Sequence, residues 1–134
     1  MPNLQKYSLI PLLFMLAWLQ GCATVAGPYK AAETAEQKAF ALYGTFVVFE
    51  ERGASVINDQ RVDLDARRAI QRADAAAKPV ADSLLDAALE VNEVRQEIGA
   101  SENRLETVTR NLENWIMRFE PLVAQLVSAV KGAR

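Results

Sequence analysis

From residue 35 onward, apolar side chains recur at alternating steps of four and three, the spacing of one face of an α-helix. The first series is Ala35, Ala39, Leu42, Phe46, Phe49, Gly53 and Val56. A second line beside it holds Phe40, Tyr43, Val47, Ala54 and Ile57, so this helix is apolar over a wide arc. Phe46-Val47-Val48-Phe49 alone resembles a strand, but the surrounding periodicity outweighs that reading. Thr34-Ala35-Glu36-Gln37 forms a capping box, with Thr34 at the N-cap and Gln37 at the third helical position. Asn58 and Asp59 end the segment.

Asp63 is a good N-cap for a second series: Ala66, Ile70, Ala73, Ala77, Val80, Leu84, Ala87, Val91, Val94 and Ile98. Gly99 stops it, and Ser101 caps a third. That third line runs Leu105, Val108, Leu112, Trp115, Phe119, Leu122, Leu126, Ala129 and Ala133, fraying at Gly132. Pro79 and Pro121 lie inside the second and third segments, where each removes a hydrogen bond and predicts a kink. The apolar phase continues unshifted through both, which favours kinked continuous helices. A break at Pro79, giving four helices, is the alternative. The expected fold is all-α, a three-helix up-down-up bundle over residues 34–134 with coiled-coil-like packing.

Counting residues from the turns sets the relative heights. Pro79 and Pro121 each lie about 30 Å from the Gly99-Ala100 turn, and Gly44 falls at the same level. The expectation is a shared bend plane lined by Tyr43, Phe119 and Leu122, with independent kinks as the alternative. The first helix is too short to cover the hairpin made by the other two, whose tip projects about 20 Å past it. Val91, Val94, Ile98, Leu105 and Val108 there form a seam between two helices, predicting a partly open groove. Residues preceding the bundle, Val25 and Tyr29, fill it, or a partner helix or a second copy docks there.

Ahead of the bundle, one lysine, Lys6, precedes the apolar run from Leu9 to Leu19. The run is too short to span a bilayer, which takes about 20 apolar residues, but it suits the core of a secretory signal. It closes on Leu19-Gln20-Gly21-Cys22, and Cys22 is the only cysteine of the chain. This stretch resembles the lipobox signal of bacterial lipoproteins, with Gln20 larger than the residue usual at its position. The alternative is an uncleaved N-terminal anchor. The resemblance implies cleavage between Gly21 and Cys22 and attachment of diacylglycerol and an N-acyl chain such as palmitate to Cys22. It covers residues 1–23 only. With Ala23 rather than Asp after the cysteine, it also implies the periplasmic face of the outer membrane, in a bacterium with two membranes. On this reading residues 1–21 are a signal peptide and residues 22–33 a lipidated tether. Gly27-Pro28 in that tether breaks any continuing helix, and residues 23–33 span at most about 40 Å when extended.

Charge and chemistry narrow the function classes. Losing Lys6 with the signal leaves 14 basic against 17 acidic residues, a formal charge of about −3. A mildly acidic domain is a poor nucleic-acid partner. With one cysteine no intramolecular disulfide forms, so the fold rests on packing. The chain has no histidine, which removes the commonest general base and metal ligand; no metal centre and no cofactor beyond the acyl groups is expected. Glu50, within the apolar arc of the first helix, is the best candidate carboxylate for a carboxylate-pair hydrolase. An ion pair with Arg72 or Arg118 is the preferred role for it. Arg67, Arg68 and Arg72 cluster beside Asp65 and Asp74, and read as a solvated surface with local ion pairs. Phe40, Tyr43, Phe46, Phe49, Trp115 and Phe119 fall at similar heights on the first and third helices. They are expected to form core, against small Ala73, Ala76 and Ala77. The alternative is a small-ligand or lipid layer of Phe40, Tyr43, Phe46, Trp115 and Phe119. The functional expectation is a non-enzymatic envelope lipoprotein, held to a membrane by its lipid and engaging an envelope protein or itself through helical surfaces. Murein lipoprotein is a comparison, but the C-terminal Lys131-Gly132-Ala133-Arg134 does not end in the lysine used for wall attachment.

Overall fold

The computed structural model describes residues 34–133; the signal, cleavage and tether readings, with Gly21 and Cys22, lie outside them. Three helices make up the described chain: α1, Ala35–Asn58; α2, Leu64–Gln96; and α3, Glu102–Gly132. They pack pairwise against one another as an all-α three-helix bundle, with no strand among the described residues. Both prolines lie inside uninterrupted helices, so α2 does not break at Pro79.

Each helix starts where its sequence provides an acceptor for the free N–H groups of the first turn. Thr34 Oγ1 accepts from the Gln37 amide while Gln37 Oε1 accepts from the Thr34 amide, both at 3.2 Å. Asp63 Oδ2 takes the amides of Asp65 and Ala66 at 2.9 and 3.3 Å. Ser101 Oγ takes the Arg104 amide at 3.2 Å. The α2–α3 turn uses Gly99 at φ +88°, a conformation glycine adopts without a Cβ penalty.

Gly53 sets the register of the three helices. A Cβ built on it would stand 2.9 Å from Ile70 Cγ2 and 3.5 Å from Val130 Cγ2. The backbone of α1 therefore lies against α2 and α3 at that level. Nine residues toward the hairpin tip from these three positions stand Gly44, Pro79 and Pro121, which lie within about one turn of a common level, about 13.5 Å away. Continuing upward, Ala35 lies level with Ala88 and Leu112. The hairpin tip, residues 89–111, projects about 17 Å beyond the start of α1.

The core follows the expected lines closely in α1, where Ala39, Leu42, Phe46, Phe49 and Gly53 are buried. In α3 the expected line holds at Val108, Leu112, Phe119 and Leu126 and shifts by one residue between them. Val108, Leu112, Ile116, Phe119, Val123, Leu126 and Val130 are buried, whereas Trp115, Leu122 and Ala129 are only half-buried. In α2, Ala81 and Ala88 are buried and Val80 is half-buried. Four–three spacing permits two neighbouring lines, and the position of the third helix decides which becomes central.

Candidate functional site

The expected tip groove takes a different form from the open seam. Val91, Val94 and Val108 are buried at 0%, 2% and 7% exposure. They are core, not a docking surface. Leu105 is half-buried and packs against that core. Ile98 falls out of the series altogether: α2 ends at Gln96, so Ile98 sits in the turn and is fully exposed. The sequence line carried one helical step too far, past a terminus set by Gly99.

Among the described residues an open groove does exist at this end, lined by α3. It has a volume of about 440 Å³ and is lined by Glu102, Leu105, Glu106, Thr109, Arg110 and Glu113. By the register above, most of it lies beyond the first residue of α1. Its rim is acidic, and its one cation, Arg110, is paired with Glu106. The apex adds a second polar clamp, with Arg104 of α3 bridging back to Glu97.

The aromatic residues divide. Phe46 and Phe119 meet edge to face with ring centroids 5.5 Å apart, at 4% and 0% exposure, and Tyr43 lies 6.4 Å from Phe46. Phe40 is instead turned outward at 48% exposure. Trp115 is half-buried beneath the Arg118 guanidinium, 5.2 Å from its ring centroid. The five residues of the expected ligand layer therefore do not converge on one space. Phe46 and Phe119 fill each other's volume, as packed core does.

Glu50 pairs with neither Arg72 nor Arg118. Lys78 Nζ reaches Glu50 Oε1 and Asp74 Oδ2, each at 2.9 Å. In α-helices side chains lean toward their own N-terminus. On antiparallel α1 and α2 the Glu50 and Lys78 side chains therefore lean toward one another. Arg72 turns back to the Arg68 carbonyl, and Arg118 covers Trp115. Hydrogen bonds to Glu50 and then Asp74 push the Lys78 ammonium above its ordinary pKa. Beside it lies a cleft of about 100 Å³ between α1 and α2, walled by Gly53, Ile70 and Leu126. Asp74 Oδ1 and Arg67 Nε are buried without a hydrogen-bond partner among the described residues. A second cross-helix pair, Arg95 with Glu36, fastens the first turn of α1 to the upper part of α2. Sequence reasoning missed both pairs, although the leaning rule applied to an antiparallel pair would have found Lys78.

Among the described residues no helix is long and apolar enough to cross a membrane, and no cluster of three or more side chains is arranged to hold a metal. Compared with models of known protein families, with curated proteins and with solved structures, the chain matches none.

Proposed function

We propose that this chain is a lipid-anchored envelope protein that acts as a structural or protein-interaction module, using the hairpin end of its bundle. The observation that carries this reading is the relation between the chain's entry and the tip. The bundle begins at Thr34, twelve residues after Cys22. The tip of α2 and α3 extends about 17 Å past that entry, at the same end. A membrane attachment at Cys22 would therefore hold the tip near the lipid surface. The surfaces offered there are the acidic α3 groove and the exposed side chains of Leu89 and Ile98. The lipobox resemblance, with Ala23 rather than Asp after the cysteine, implies the periplasmic face of the outer membrane, given two membranes.

The chemistry supports a non-catalytic role. Glu50 is engaged by Lys78, and the chain contains no histidine. The paired rings of Phe46 and Phe119 leave the ligand-layer reading without support.

Metabolic labelling with an alkyne fatty acid tests the anchor directly. The wild type should carry label and fractionate with membranes, and Cys22→Ser should lose both. An unlabelled wild type would remove the anchor and the orientation with it. Crosslinking from Glu106 and Ile98 in intact envelope then tests the module. No adduct from either position, with adducts formed from a probe placed at Asp59 at the opposite end, would refute use of the tip.

A further inference from the structure

One helix-weakening residue in each helix falls within about one helical turn of a common level of the bundle. The contacts of Gly53 with Ile70 and Val130 fix the register, and nine residues on from these stand Gly44, Pro79 and Pro121. The two prolines lack the N–H that would bond the carbonyls of Ala75 and Met117. Gly44 weakens a helix interior relative to alanine, and packing gives no reason for it, because a Cβ there would meet nothing within 4 Å.

Two hydroxyls reinforce the same level. Thr45 Oγ1 donates to the Ala41 carbonyl at 2.9 Å, and Ser83 Oγ donates to the Pro79 carbonyl at 3.1 Å. A hydroxyl bonded one turn back competes for an acceptor of the helix ladder and favours bending. Thus α1 combines Gly44 with Thr45, α2 combines Pro79 with Ser83, and α3 contributes Pro121. Both prolines are exposed, on the faces opposite the buried lines of their helices. Bending there leaves the freed carbonyls within reach of water.

We propose that these residues form a transverse hinge built into the bundle. It divides the bundle into a tip half, residues 34–43 with 80–120, and a base half, residues 45–78 with 122–133. Closeness in level is what makes the hinge work. Three weak points within about one turn of a common level let the halves rotate as bodies with their interdigitated ridges intact. Staggered weak points would force packed helices to slide past one another. The device does not depend on the proposed anchor. If the anchor is present, the hinge lets the tip change its angle to the far end while both halves stay folded.

Spin labels at Asn92 and Gln71, introduced as Asn92→Cys and Gln71→Cys in the full chain with Cys22→Ser, report across the hinge on one helix. Both sites are exposed, and their separation is about 31 Å. The wild-type distance distribution should be broad and should narrow to roughly half its width in Gly44→Ala/Pro79→Ala/Pro121→Ala. Backbone amides within one turn of each weak point should exchange about tenfold faster than those two turns away, an excess the triple variant loses. Equal widths in the two proteins, or uniform exchange along wild-type α2 and α3, would overturn the hinge. Should the triple variant lack native helix content by circular dichroism, Pro79→Ala alone, with the same labels, decides between the same two outcomes.

Discussion

A methyl group on Gly53 would stand 2.9 Å from Ile70 Cγ2, nearer than carbon atoms pack. Ile70 is fully buried and its Cγ2 sits on a branched Cβ that cannot swing away without a rotamer change, although the small cleft beside Gly53 takes up part of the crowding. Gly53→Ala should therefore cost about 1–3 kcal/mol, as overpacking a filled core does. Gly44→Ala, in open space, should add about 0.5–1 kcal/mol by improving helix propensity. Urea unfolding of the two single variants checks this; the opposite ranking would contradict the register.

Lys78 stands between two carboxylates from different helices, so its removal leaves like charges facing each other. Lys78→Met should lower stability by about 1 kcal/mol, the scale of a partly exposed ion pair. The sharper expectation concerns salt. Added salt screens repulsion in the variant and attraction in the wild type, so the gap between their unfolding midpoints should shrink as sodium chloride rises. A gap that widens would mean that Lys78 contributes by packing its stem, not by its charge.

Asp59 titrates below its usual range. The side-chain hydrogen bond from Arg61, with the Arg61 amide second, holds its carboxyl down from 3.8 to about 2. The folded state then binds fewer protons than the unfolded one between those values. The stabilisation is complete above the unfolded pKa and disappears as pH falls through about 2. Carbon-detected titration of Asp59 should place its midpoint near 2, and Arg61→Ala should return it toward 3.8. An unchanged midpoint in that variant would remove Arg61 as the cause.

At the tip, two apolar residues four positions apart should respond in opposite ways to the same charge. Val94→Glu places a carboxylate in a 2% exposed site and should cost about 3 kcal/mol or more. Ile98→Glu, at a fully exposed turn, should leave the thermal midpoint within about 1–2 °C of wild type. If the tip meets a partner, Ile98→Glu should weaken crosslinking without loss of fold. Val94→Glu is unsuitable for that purpose, since any loss of binding would follow from unfolding.

The number of helices, their caps and the α1 core line were legible because they depend on local chemistry: Thr34 with Gln37, Asp63, Ser101, and four–three spacing. Which of two adjacent lines becomes central was not. Trp115, Leu122 and Ala129 lie one position from Ile116, Val123 and Val130, and only the placement of α1 separates them. The partner of Glu50 was missed because a carboxylate midway along α1 has several cations within reach at the resolution of a residue count. Ile98 was misplaced because periodicity carries no stop signal of its own; Gly99, acting two residues early, ended the helix at Gln96.

The Arg95–Glu36 pair has a mechanical meaning. A pull on the chain at Thr34, directed along α1 away from the base, draws that helix lengthwise past its two neighbours. Ala39, Phe46, Phe49 and the bridges to Lys78 and Arg95 then carry the load in parallel. Pulled from the Asn58 end and sideways, the same contacts would fail one after another. Arg95 thus stands where a pull on Thr34 would first meet the bundle.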